Sequence, residues 1–330
     1  MMPGRHMADS NTAVVHTRAI EDIDAMAAAI ADGLEAEYVQ LEALPFSARA
    51  TVVSLPEMVV QFVHEDVAIV RRLRVPAGRW AFVVPLTVPE SARWNACAVN
   101  GDEVVVCAPQ AECYAFDPRG TIFAIISVPE TRQAAVLGHD LLEPGALSRT
   151  VLPRARDARE LQHRLNALIA SARRTEAMVS ASAAREIGAA LELCLRSAVP
   201  ADRHIEASTG RSQIVRRAEA FFRRHLGEPV SIAQLSSIAG VSERSLRNAF
   251  YDVYTTSPKR YLRLWQLHQV RRALRTSDGQ DSSVTDVATL HGFYELGRFA
   301  GEYKALFGEA PSQTLHRARG QYASRLFGAA

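Results

Sequence analysis

Cysteine is scarce in this chain, and no metal motif is built from it. Among 330 residues there are four, Cys97, Cys107, Cys113 and Cys194. No Cys-x-x-Cys occurs and no histidine flanks them at ligand spacing, which argues against a zinc or disulfide framework. They read as small buried apolar residues in a reducing cytoplasm. Long apolar runs are missing too. Without a stretch of about 18 apolar residues, no segment is expected to span a membrane, and the first 18 residues lack the apolar core of a secretory signal. Catalytic signatures are absent as well. The chain has no nucleophile elbow, phosphate-binding loop, zinc-protease helix or dinucleotide fingerprint. Its ten histidines are scattered, and His64 stands alone between residues 17 and 138, where a metal site needs several ligands. These absences exclude the common enzyme classes, so no catalytic residue, cofactor or metal is expected.

What is present is an asymmetry of charge. The net charge is only +2, yet residues 211–330 hold 18 Lys and Arg against 10 Asp and Glu, while residues 1–210 hold 20 against 26. A basic C-terminal third is what contact with phosphate requires.

The order of patterns along the chain predicts an α+β protein of several domains. Residues 1–20 read as a disordered tail, and 21–33 as a short helix with acidic residues in its first turn. Residues 21–150 form a β-rich domain. Its strand-like runs are Tyr38–Leu41, Arg49–Leu55, Met58–His64, Val67–Val75, Ala81–Pro85, Trp94–Val99, Glu103–Ala108, Glu112–Phe116 and Ile122–Val128. Turn signals such as Asn100-Gly101 separate them. So many strands without intervening helices predict a sandwich or small barrel. Residues 151–198 turn helical, with Leu161, Leu165, Leu168 and Ala172 on one stripe and Ile187, Leu191 and Leu195 on another. Those stripes either pack on the chain's own β domain or form part of a dimer interface. Polar residues 199–211, with Pro200 and Gly210, read as a flexible linker, and 212–320 as an all-helical domain.

That last domain carries the same grammar twice. Ser231, Gln234, Leu235, Ile238, Gly240 and Val241 recur 52 positions later as Ser283, Asp286, Val287, Leu290, Gly292 and Phe293, and Leu246 and Phe250 recur at +53 as Phe299 and Tyr303. Ser231 and Gln234 form a capping box, Gly240 permits a left-handed turn, and Ser242 caps the next helix. A helix, a glycine turn and a capped second helix make a helix-turn-helix unit. Leu235, Ile238, Val241, Leu246 and Phe250 are expected to lock its two helices together. Arg244, Ser245, Arg247 and Asn248 are left on the outer face, and Arg and Asn can make bidentate contacts with guanine and adenine in a major groove. In the second copy the outer face reads Leu296, Gly297, Arg298, Ala300, Gly301 and Lys304, with Arg298 the obvious hydrogen-bonding reader. The first unit is therefore expected to read sequence and the second to supply position and affinity. Between them Pro258 opens a rigid helix running to about Arg275. Its Lys259, Arg260, Arg263, Arg271, Arg272 and Arg275 read as mostly solvated, with two or three on phosphate.

Residues 212–317 resemble the tandem DNA-binding domain of AraC/XylS transcription regulators. The segment His291-Gly-Phe-Tyr-Glu-Leu-Gly-Arg-Phe-Ala-Gly-Glu-Tyr-Lys-Ala-Leu-Phe-Gly-Glu-Ala-Pro-Ser312 matches that family's signature, and parts of it are similar to ethanolamine-utilisation regulators. Many members carry a polar side chain where this chain has Ala300 and Gly301. The resemblance implies double-stranded DNA as partner through adjacent major grooves, a homodimer, and contact with RNA polymerase by an activator. It also implies a cupin-like N-terminal domain that binds a small effector, for which Trp80, Phe82, Trp94 and Tyr114 are the pocket candidates. The competing readings are a DNA-binding protein that senses nothing and a cupin-like enzyme fused to a DNA-binding domain.

Overall fold

The computed structural model describes residues 14–30, 34–138, 149–174, 181–200, 205–276 and 283–327. Two antiparallel sheets stack face to face without closing into a barrel. The larger runs β1 (Val14–Ile20), β3 (Ala48–Ser54), β4 (Val59–Glu65), β11 (Thr121–Pro129), β6 (Arg79–Thr87), β9 (Val104–Cys107), β12 (Arg149–Leu152) and β13 (Val199–Pro200). The smaller runs β2 (Glu35–Gln40), β5 (Ile69–Arg74), β10 (Glu112–Asp117), β7 (Arg93–Trp94) and β8 (Cys97–Ala98). Helix α1 (Ile23–Ala29), capped by Asp22, buries Ile23 and Met26 at one end of the space between them. A 3-10 turn (Glu130–Arg132) and short helix α2 (Gln133–Leu137) follow β11.

Both faces of both sheets are covered, and this explains the strand sequences. One face of the large sheet, with Phe62, Trp80, Phe82 and Ile126, packs under helices α3 (Ala155–Arg174) and α4 (Ala181–Ser197). Its other face meets the small sheet through Val83, Phe123, Ile69 and Trp94. The outer face of the small sheet, with Val39, Val70, Tyr114 and Phe116, packs on the C-terminal helices. A strand buried on both sides reads as a continuous apolar run, as Thr121–Pro129 does, instead of alternating. The stripes on α3 and α4 are spent here. Leu161, Leu165, Leu168, Ala172, Ile187 and Leu191 are all buried against the chain's own sheet.

Three segments depart from the sequence reading. Val14–Ile20 is an edge strand paired with β3, not tail, because Val15 and Ile20 anchor it in the core; residues 1–13 lie outside the described residues. The linker read at 199–211 holds strand β13 and the first turns of helix α5 (Ile205–Arg224). Val215, Ala218 and Phe222 are buried further along α5, and that tertiary packing outweighs the local breaker signal of Gly210. The run Trp94–Val99 splits into β7 and β8, because Asn95 and Ala96 take left-handed φ angles of 49° and 67°.

Candidate nucleic-acid interface

Among the described residues the C-terminal domain holds helices α5, α6 (Ile232–Ala239), α7 (Glu243–Tyr254), α8 (Pro258–Thr276), α9 (Val284–Leu290), α10 (Leu296–Phe307) and α11 (Pro311–Phe327). Caps set their ends. The Gln234 amide donates to Ser231 Oγ at 3.1 Å and the Ser231 amide to Gln234 Oε1 at 2.8 Å, satisfying two donors that a helix start leaves orphaned. Gly240 ends α6 with φ 72°, a conformation that costs a side chain but not glycine. Ser242 then accepts the Ser245 amide at 3.1 Å and opens α7. Leu246, Ala249, Phe250 and Val253 are buried along α7, at the 3.6-residue period of a single face.

That packing leaves Arg244, Ser245, Arg247 and Asn248 exposed together on the opposite face, with Tyr251 one turn further. The sequence reading errs at Ile238, which is exposed. The inward face of α6 is carried by Leu235, Ser236 and Ala239, so the lock falls one residue later. The duplicate shows the same shift, with Leu290 exposed and the next residue, His291, buried.

The second unit repeats the frame with a different surface. Ser283 and Asp286 form its capping box, and Phe299, Tyr303 and Leu306 are buried along α10. Glu295, at the start of α10, gives no side-chain cap. Outward lie Leu296, Gly297, Arg298, Ala300, Gly301 and Lys304. Acidic partners orient the arginines of both surfaces. Arg247 meets Glu243 of its own helix at 2.6 Å. Arg298 meets Glu302 at 2.8 Å, and Arg263 on α8 holds the other oxygen of Glu302 at 2.6 Å while lying over the Phe293 ring. Burial tends to raise the Glu302 carboxyl, but the bonds from Arg263 and Arg298 outweigh it and hold it below its ordinary range.

The connecting helix corrects another expectation. Arg271 is buried, Arg272 half-buried and Arg275 exposed, and all three reach acids of the N-terminal domain. Arg271 pairs with Asp22 and Asp24 at 2.8 and 2.9 Å, Arg272 with Asp24 and Glu37, and Arg275 with Asp22. Glu37 also takes Arg223 at 2.6 Å and the Trp265 indole N–H at 2.9 Å. Burial raises its carboxyl, but the Arg223 and Arg272 charges prevail and lower it to about 2. Beside it the Gln40 amide donates to His268 Nε2 at 3.0 Å. Burial, with Arg272 and Arg271 nearby, lowers His268 to about 3, so its ring is neutral. The clamp joins residues far apart in the chain, Gln40 and His268 by 228 positions and Asp22 and Arg275 by 253, which is why composition showed the basic surplus but not its use.

The four aromatic pocket candidates are not brought together. Trp80 and Phe82 lie under α3 and α4, Trp94 lies between the sheets donating to Asp117 at 2.8 Å, and Tyr114 lies against the C-terminal domain beside Tyr254. Sequence reasoning missed two features. One is a buried cluster between the sheets in which Arg71 bridges Glu65 and Asp117 at 3.1 and 2.7 Å. Burial, then the charge of Asp117, pushes the Glu65 carboxyl well up. The other is a cleft of about 560 Å³ between the domains, lined by Arg18, Glu21, Asp22, Arg271, Glu309 and Arg317 among others. Only the paired acids at 22 and 24 and the arginines at 271, 272 and 275 hinted at such an interdomain contact.

Two helix-turn-helix units, each opened by a capping box and each with an exposed outer face on its second helix, define a DNA-binding domain of tandem type. A helix-turn-helix domain family matches residues 235–317. Over 102 residues the chain is 39% identical to the probable thc operon regulatory protein of Rhodococcus erythropolis, covering 31% of each. Over 107 residues it is 36% identical to the XylDLEGF operon transcriptional activator of Pseudomonas putida, covering 32% of this chain and 33% of that one. A solved structure described as a probable AraC family transcriptional regulator, from Rhodopseudomonas palustris, is 33% identical over 32% of this chain and 97% of its own, with a TM-score of 0.30. The similarity to these transcription regulators lies in the C-terminal domain, whose residues 235–317 match the helix-turn-helix family. It spans about a third of the length of the curated relatives it matches.

Proposed function

We propose that the protein is a sequence-specific transcription activator whose α7 and α10 enter successive major-groove segments on one face of the duplex. The observation that carries this is the pair of exposed reading helices joined by one continuous helix, α8. Its 19 residues span about 28 Å at 1.5 Å per residue, a rigid strut on the scale of the roughly 34 Å between groove segments. Arg244, Ser245, Arg247 and Asn248 are the proposed base or adjacent phosphate contacts of the first unit; Arg298 and Lys304 serve position in the second. Footprinting full-length protein on sites selected from random DNA tests this. Two protected segments one helical turn apart are expected, with affinity falling steeply as salt rises through counterion release. A single protected segment contradicts it.

The N-terminal sandwich is the proposed sensing half. Support comes from the clamp of Asp22, Asp24 and Glu37 on α8 and Arg223, which ties the attitude of the reading helices to the state of the sandwich. An effector acts through that clamp only by binding one arrangement more tightly than another. A thermal-shift screen of the full chain against small metabolites tests it, since a ligand that binds the native state raises the melting temperature. A protein stabilised by none of them is a DNA binder without sensing. Homodimer formation and contact with RNA polymerase belong to the same reading. Since the stripes of α3 and α4 are spent inside the chain, the dimer surface is assigned to their outward side and the adjacent sheet edge, where Leu193, Leu152 and Val199 are exposed. Sedimentation at twice the 36.2 kDa chain mass is the expected result, and a monomer at micromolar concentration contradicts it.

A further inference from the structure

The two sulfurs of Cys107 and Cys113 lie 2.8 Å apart. Both thiols are free and both side chains are buried in the core between the sheets. A disulfide needs an S–S distance of about 2.05 Å, so closure asks for a local shift of less than an ångström. The backbone around the pair is held on both sides. Cys107 ends β9 opposite Ala81 of the large sheet, and Cys113 lies in β10 opposite Leu73 of the small one. The intervening turn is pinned where the Val75 amide donates to Ala111 O and the Gln110 amide to Val75 O. The other thiol at such depth differs. Cys194, on the buried face of α4, donates to Asp157 O at 3.2 Å, and burial pushes it up to about 12.

We propose that Cys107 and Cys113 form a redox modification site, a dithiol that a small hydroperoxide converts to an intramolecular disulfide. Cys113 is the attacking sulfur. It is 9% exposed where Cys107 is fully enclosed, and the hydrogen bond from Cys107 holds its thiol below the ordinary range against the effect of burial. Its thiolate takes one peroxide oxygen. The S–O bond forms, the O–O bond breaks, and the remaining alkoxide or hydroxide leaves as alcohol or water after taking a proton. Cys107 then attacks the sulfenic sulfur. The S–S bond forms, the S–O bond breaks, and water departs with the Cys107 proton. Two thiols lose two electrons and two hydrogens, and the peroxide is reduced by the same two electrons. Cellular thiols return the pair to the resting dithiol.

The bond joins β9 of one sheet to β10 of the other. Tyr114, the next residue, points to the opposite face of β10 and packs near Tyr254 at the end of α7. The site is thus one residue from the contact between the sandwich and the first reading helix.

Full-length protein treated with hydrogen peroxide, under conditions that trap free thiols, is the test. Intact mass should fall by two hydrogens, and peptide mapping should place the link between 107 and 113. Cys97→Ser/Cys194→Ser should still lose two hydrogens. Cys107→Ser should instead stop at a Cys113 sulfenic acid that a dione probe captures. Four free thiols in treated wild-type protein overturn the proposal, as does undiminished disulfide in Cys107→Ser. The mapping arm uses unmodified protein, so the result stands even where a serine variant folds poorly.

Discussion

The two helix-turn-helix units share a skeleton but not a surface or a setting. In the first, Arg244, Arg247 and Asn248 stand on a helix capped by Ser242, and the unit's core runs on into the β sandwich through Tyr114, Phe116 and Val70. In the second, Arg298 and Lys304 stand among Gly297, Ala300 and Gly301, and the core of Phe293, Phe299, Tyr303 and Leu306 contains no residue of the sandwich. Duplication preserves what folds, namely the capping boxes, the positive-φ glycines Gly240 and Gly292, and even the exposure of Ile238 and Leu290. It does not preserve the outward side chains. The two units also meet the sandwich differently: the first shares an apolar core with it, whereas the second meets it through the charged clamp on the far half of α8, where Arg271 pairs with Asp22 and Asp24.

The largest expected effects break the two cores separately. Phe250→Ala and Phe299→Ala each delete a fully buried ring and should cost about 3–5 kcal/mol. Hydrogen exchange distinguishes them. Phe299→Ala should raise exchange over residues 283–317 and leave the sandwich protected, whereas Phe250→Ala should also raise exchange in β5 and β10. Equal spread from both substitutions contradicts the difference in setting.

The clamp gives the next effect, through pH. His268 falls from an ordinary 6.5 to about 3 and Glu37 from 4.5 to about 2 on folding. Both groups bind protons more readily in the unfolded chain, so the stability they lend is complete above pH 6.5. The His268 share is lost as pH falls from 6.5 toward 3, and the Glu37 share from 4.5 toward 2. The His268 slope is at most about 1.4 kcal/mol per pH unit. Denaturant melts of His268→Gln should show a flatter pH dependence between 6.5 and 4.5. An unchanged slope contradicts the buried neutral ring.

Much of this was legible in the sequence, and the reasons differ by element. Caps and glycine turns are local chemistry, so Ser231, Gly240, Ser242 and Ser283 announced the helix ends. Eight of the nine strand runs followed from β-branched runs between turns, and the ninth, Trp94–Val99, holds two short strands instead. Val14–Ile20 escaped because an edge strand with two buried anchors carries too little pattern. Arg271, Arg272 and Arg275 looked solvated because a helix face shows its own charges but not a partner some 250 residues away. The aromatic candidates were chosen as one pocket, but alternation along strands sent them into three cores.

The smallest expected effect concerns Glu302. Replaced by Gln, it should loosen Arg298 and Arg263 and weaken binding severalfold, equally on selected and random DNA. A change in base preference contradicts the positioning role of the second unit.

The central claim is that the first unit reads and the second positions. Sites selected from random DNA by wild type, Arg247→Ala and Arg298→Ala, with affinities on selected and random duplexes, test it most directly. Strong base preference is expected in one groove segment. Arg247→Ala should erase part of that preference and cost on the order of 1–3 kcal/mol on the selected site only. Arg298→Ala should leave the preference intact and reduce the salt slope by about 0.9. Equal preference in both segments, or a preference that Arg298→Ala relaxes and Arg247→Ala does not, contradicts the account.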